Sequence, residues 1–322
     1  MRPIRTVWLV VSLSALAPHA RAQAPLTIVP TFGGSIAADP NAATIEATIN
    51  QVIAVYQTRL TTRAPTTVNI TFQEMGSGLG QSSTFFGTVS YTQYRNALAS
   101  HATTAADNTA LAGLPTGPGV TINGQSFTTV DVTTANLRAL GFTANVASDS
   151  TVSLNTSLMN LSRAGPRDPT RFDLFAVAAH EIDEALGLGS NVGSLNGANG
   201  HLRPEDLFRF DQNGARSFTS SSTALSFFSL DGRTRLAQFN QDARGDFGDW
   251  FSPAGHTPVQ VQDAFATAGA VPDLGVELTG LDAIGFDLVP APVPEPGSLA
   301  TLGAVAAAVG LGRVRRRRVF GW

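Results

Sequence analysis

The sequence predicts an α+β body. Three observations carry that expectation. Apolar residues recur at helical spacing in 41–60 and 171–186, they alternate with polar ones in 66–75 and 119–132, and no repeat of constant period orders the two kinds. The order helix, strand, helix, strands, helix suggests two lobes meeting at the last helix. With 43% hydrophobic and 14% charged residues, the chain has material for a large core and no signature of global disorder.

Each element has its own local reason. In 41–60, Ile45, Ile49, Ile53 and Val55-Tyr56 fall on one face, and Asp39-Pro40 offers a start. In 66–75, Val68, Ile70 and Phe72 alternate, as in a strand with one buried face. Residues 90–102, "SYTQYRNALASHA", read as a second helix. Residues 119–132 read as a hairpin, because Asn123-Gly124 suits a two-residue turn. Asp168-Pro169-Thr170 can open a helix over 171–186, which Gly187 and Gly189 would end. The stretches between are Ser/Thr/Gly/Ala-rich and read as loops.

Composition excludes several function classes. Cysteine is absent, so there is no disulfide, no thiolate metal site and no cysteine nucleophile. The basic residues are all arginine, and eight of the 21 lie in the first 21 residues and the last ten. Between Gln23 and Pro294, 13 arginines face 23 acids. A body this acidic is a poor nucleic-acid binder and an attractive one for cations. It carries no nucleotide-binding glycine loop and no serine-elbow motif.

The two ends read as addresses. Residues 1–22 have a basic start at Arg2 and Arg5, an apolar run from Thr6 to Ala17, and Ala20-Arg21-Ala22 before a cleavage point. That is the pattern of a secretory signal peptide for the Sec machinery. At the other end, 290–297 is a Pro-rich linker containing Pro294-Glu295-Pro296, followed in 298–322 by an apolar run and the cluster "RVRRRR". This tail resembles a PEP-CTERM sorting signal. The resemblance implies transient membrane association through the tail, processing by an exosortase, and delivery to the cell surface or extracellular matrix of a Gram-negative bacterium. The body is then 23–289.

The chemistry sits in "VAAHEIDEALGLGS" (177–190). At 100° per residue, Leu174, Phe175, Ala178, Ile182, Ala185 and Leu186 share one side of the helix. His180, Glu184, Asp173, Asp183, Ala176 and Gly187 share the other, with Glu181 at its edge. His180 and Glu184 are one turn apart, so both can reach one ion. An amphipathic surface helix would also have an acidic side. However, Asp173, Glu181, Asp183 and Glu184 have no basic partner within the helix, so a cation or arginines from elsewhere must compensate them.

Around that helix, "FDLFAVAAHEIDEALGLGS", "PEDLFRF", "GARSF", "FFSLDGRTRLAQFN", "GDFGDW", "VQDAF" and "LDAIGFDL" together resemble a family of PEP-CTERM-sorted, zincin-type metalloproteases. The resemblance covers nearly the whole body. It implies a zincin-like catalytic domain with a mixed sheet and an active-site helix at about 171–186. Metzincins carry H-E-x-x-H-x-x-G-x-x-H. This chain matches at His180, Glu181 and Gly187, and departs at Glu184 and Ser190. Where leishmanolysin-like relatives place a late histidine before tryptophan, the chain has Asp249 before Trp250. No methionine follows for a Met-turn, and "LDAIGFDL" takes its place.

What the resemblance implies for the site follows residue by residue. His180 and Glu184 hold a divalent metal, zinc by family, with the third ligand from Asp249, His256 or His201. One nitrogen and two oxygens would make a harder site that also suits Mn²⁺ or Ca²⁺. Glu181 is the catalytic base that moves a proton from water to the leaving amine of a peptide or protein substrate. The same residues also have plainer readings: His201 and His256 as loop residues, His101 as solvated, Asp249-Trp250 as turn and packing, and Asp206 with Arg209 as a structural ion pair. Three functions remain open at this level: an exported metallopeptidase with an altered ligand set, an inactive zincin scaffold kept as a binding protein, and a structural matrix component.

Overall fold

Two nine-residue strands, β1 (Ala24–Phe32) and β3 (Thr66–Glu74), lie side by side and parallel at the centre of a six-stranded mixed sheet. The computed structural model describes residues 23–289. The signal-like segment 1–22 and the tail from 290 onward lie outside the described residues, so the two address readings are not addressed by it. Val68, Ile70 and Phe72 are buried, as their alternation requires. Parallel neighbours need a crossover, and helix α1 (Ala42–Arg59) supplies it. Its buried face is Ile45, Thr48, Ile49, Val52, Ile53 and Tyr56.

The sheet is completed by β2 (Leu60–Thr62), β4 (Gly80–Thr84), β5 (Ser150–Leu154) and β6 (Asp287–Leu288), in the order β6-β2-β1-β3-β5-β4. β5 is parallel to β3, whereas β4 runs antiparallel to β5 at the end of the sheet. β1 alternates buried Leu26 and Ile28 with exposed neighbours, a signal that Pro25 and Pro30 weaken, whereas β4 and β5 give less. "GQSST" and "STVSL" are short and polar, and their pairing comes from the sheet they join.

The predicted elements stand with shifted ends. The helix over 90–102 is Tyr91–His101, capped by Ser90, whose hydroxyl accepts the Gln93 amide. The hairpin is shorter than 119–132: Val120–Ile122 pairs with Gln125–Phe127 about a turn in which Asn123 and Gly124 have φ of 50° and 80°. Thr129–Thr133 leaves it to join a separate three-stranded sheet with Phe86–Ser90 and His201–Leu202. His101, expected to be solvated, is buried because its helix end packs on the C-terminal segment.

That C-terminal segment is helix α3 (Val276–Ala283), which leads into β6. Its end is tied to residues 103–107 by carboxylates. Asp282 accepts the Thr104 hydroxyl and the Leu288 amide, both at 2.8 Å, and Asp287 accepts the Thr103 hydroxyl at 2.8 Å. Burial, with Asp107 nearby, pushes Asp282 up to about 7, and burial pushes Asp287 up to about 6. A carboxyl whose folded pKa is raised binds more protons folded than unfolded, so stability declines as pH rises from about 4 through about 7. Asp282→Asn is expected to flatten that decline. It should raise the melting temperature at pH 8 by about 4 °C, read by thermal denaturation across pH.

Candidate metal centre

Helix α2 (Leu174–Leu186) begins at Asp173, later than Asp168-Pro169 suggested, because Phe172-Asp173 is first taken into a two-stranded parallel pair with Met159-Asn160. It ends at Gly187, whose φ of 138° an L side chain adopts only with strain. Its apolar side is sunk in the core: Leu174, Ala178, Ala179, Ile182, Ala185 and Leu186 are fully buried. The Tyr56 hydroxyl of α1 donates to the Ala179 carbonyl at 2.9 Å, fixing the rotation of α2. His180 and Glu184 are therefore turned toward a cleft of about 820 Å³. β4 borders it on one side and residues 244–272 on the other.

The third member arrives from far along the chain. Trp250 is completely buried, its ring 5.5 Å from that of Phe228 and 5.2 Å from that of Phe239. Its amide donates to the Gln262 carbonyl at 2.7 Å, and the Asp249 carbonyl accepts the Asn240 amide at 2.7 Å. This anchoring sets Asp249 against α2. His180, Glu184 and Asp249 each offer a ligand atom, and these atoms lie within 4.8 Å of one another. His180 Nε2 stands 3.7 Å from Asp249 Oδ1.

Each of the three is held by one further group. His180 Nδ1–H donates to the Val261 carbonyl at 3.1 Å, which leaves Nε2 as the donor atom of the neutral ring. The Ser82 hydroxyl of β4 donates to Glu184 Oε2 at 2.6 Å. Gln262 Nε2 donates to Asp249 Oδ1 at 3.1 Å. Glu181 lies beside them, buried against Val177 and Gly80, and its Oε2 has no hydrogen-bond partner. Gly80 is required there: a Cβ at that position would collide with the Glu181 carboxylate.

The charges are unbalanced. Burial opposes protonation of His180, but Asp249, Glu181 and Glu184 outweigh it and raise the imidazole to about 10. Burial and then Glu184 hold the Glu181 carboxyl well above the usual carboxylate range. Burial raises Asp249 to about 8, although His180 opposes it. Without a cation the group retains protons, and a divalent ion is the partner that would release them. Metal affinity is therefore expected to rise between pH 6 and pH 8, with net proton release on binding. Calorimetry in two buffers of different ionisation enthalpy checks this, and identical heats in both would contradict it.

The remaining acids of α2 are accounted for separately. Asp173 pairs with Arg163 at 2.6 Å, an arginine from outside the helix. Asp183, expected on the His180 side, is fully buried behind the helix near Glu277, and burial holds its carboxyl well above the usual range. The other predicted ligands are elsewhere. His201 Nδ1 is 2.9 Å from Asp131, and His256 Nε2 is 2.6 Å from Asp263, with its Nδ1 on the Pro253 carbonyl. Neither belongs to the His180 group. Ser190 donates to Asp206 at 2.5 Å.

Asp206 and Arg209 are structural and attract each other, as expected, but make no direct salt bridge among the described residues. Asp206 accepts the Asn191 and Arg203 amides, while Arg209 donates to the Phe247 and Asn240 carbonyls and to Gln241. Arg209 thereby props the loop that carries Asp249. Sequence reasoning missed Ser82, Gly80, Val261 and Gln262, whose roles depend on strand pairing and on backbone carbonyls that leave no pattern. The chain matches no protein-family model, no curated protein and no solved structure.

Proposed function

We propose that the chain is an exported metal-dependent peptidase of zincin type with an altered ligand set. The observation that carries this reading is the convergence of His180, Glu184 and Asp249 at an open cleft, with buried Glu181 beside them. The donor set fits a divalent ion: one imidazole nitrogen and two carboxylates, each oriented by a neighbouring hydrogen bond. Zinc accepts such ligands, and the oxygen-rich set also suits Mn²⁺ or Ca²⁺. When bound, the ion supplies Lewis acidity and acidifies water.

The chain's own residues supply the rest. Glu181, which lines the cleft with an orphaned Oε2, is placed to take a proton from water as the water oxygen bonds to the peptide carbonyl carbon. It then returns that proton to the amine nitrogen as the C–N bond breaks. Gly80, Gln81, Ser82 and Thr84 of β4 line the cleft and offer an extended peptide a sheet edge. The signal-like start and the PEP-CTERM-like end support export and sorting through the Sec machinery and an exosortase to the surface or matrix.

The test combines metal analysis of the purified protein with hydrolysis of casein before and after chelation. One divalent ion per chain, with hydrolysis abolished by chelation and restored by Zn²⁺ or Mn²⁺, is expected. Bound metal without hydrolysis would favour the binding scaffold, in keeping with carboxylates that soften the ion's charge. Absence of bound metal across pH 6–8 would leave a structural protein.

A further inference from the structure

We propose that Arg203 selects peptide substrates that carry a carboxylate; this rests on the peptidase reading of the cleft. Two arginines line the cleft, Arg203 and Arg244. Arg244 is committed: its guanidinium grips Asp242, with Nη2 to Oδ2 at 2.5 Å. Arg203 is different. Among the described residues its guanidinium has no carboxylate or carbonyl partner, although six acids, Asp173, Glu181, Glu184, Asp246, Asp249 and Asp263, line the same cleft.

Nor is Arg203 a loose rim residue. Its backbone amide donates to buried Asp206 at 2.8 Å. Its guanidinium carbon sits 4.6 Å over the centroid of the Phe86 ring. Nη1 lies against Gly189, where any Cβ would collide with it. A guanidinium laid on an aromatic face and over a glycine is partly ordered before any ligand arrives. Its planar fork of donors remains unused, and that fork matches a carboxylate with two parallel bonds.

The position also makes electrostatic sense. The acids of the centre repel an anionic substrate, so one that carries a carboxylate needs a local positive anchor. Arg203 provides it on the cleft wall against Gly189 and next to Phe86, which is 39% exposed and presents an apolar surface. The carboxylate would come from an acidic side chain or from the C-terminus of the peptide.

The test uses fluorescein-labelled peptides in matched sets: internal Glu against Gln, and a free against an amidated C-terminus. Their binding is measured by anisotropy on metal-loaded Glu181→Gln protein, so that it is independent of turnover. Their cleavage is measured separately on the wild-type protein. Carboxylate-bearing peptides are expected to bind about tenfold tighter or more than their neutral counterparts. That ratio should fall to about one in Arg203→Gln and to an intermediate value in Arg203→Lys, which keeps the charge but not the fork. The Glu/Gln set and the amidation set separate the two sources of the carboxylate. Equal binding of all four peptides overturns the proposal, as does a preference that survives Arg203→Gln. Failure of cleavage alone, with the binding preference intact, counts against the peptidase reading and not against Arg203.

Discussion

Glu181→Gln is expected to lower peptide hydrolysis by about a thousandfold while the metal stays bound. Glutamine has the shape of glutamate, so it preserves the packing against Gly80 and Val177. It cannot carry a proton, which removes the base at attack and the acid at departure together. Positioned proton transfer of this kind contributes 10²- to 10⁴-fold, or roughly 3–5 kcal/mol of transition-state stabilisation. The loss should fall on kcat, with KM little changed, because the carboxyl is buried and contributes little to ground-state binding. Steady-state kinetics with metal content measured on the same samples checks both halves. A fully active variant would move the proton transfer to another group.

Removing the metal is expected to have the largest effect on stability. The three candidate ligands come from two distant segments, α2 and the loop that ends at Trp250, so an ion would join them only in the folded chain. At a thousandfold excess over its dissociation constant an ion adds about 4 kcal/mol, which corresponds to about 10 °C in a chain of this size. Scanning fluorimetry with metal and with chelator should show that difference in the wild-type protein. His180→Ala, which removes the one nitrogen donor, should abolish it. A shift of equal size in the His180→Ala protein would place the ion at another site.

Helices α1 and α2 were legible because their apolar residues face a core at 3.6-residue spacing, and β3 because its side chains alternate. α2 was displaced at its start since the pairing of Phe172-Asp173 with Met159-Asn160 is a long-range contact that Asp168-Pro169 does not report. β4 and β5 give little local strand signal, because short polar strands take their conformation from neighbours. Of the candidate site, His180, Glu181 and Glu184 could be named from one helix. Asp249 was selected over His201 and His256 by position alone, since all three are chemically able ligands.

The sequence by itself determined an α+β body and a helix that presents an imidazole and a carboxylate one turn apart, because both follow from periodicities of a few residues. Only the tertiary structure decided which distant residue completes the group, that Asp183 turns into the core, and that Ser82, Val261 and Gln262 orient the donors. Those outcomes depend on packing between segments tens of residues apart. Buried Trp250 draws Asp249 to the helix, and Tyr56 sets the helix's rotation. No local pattern encodes the meeting of surfaces that only folding brings together.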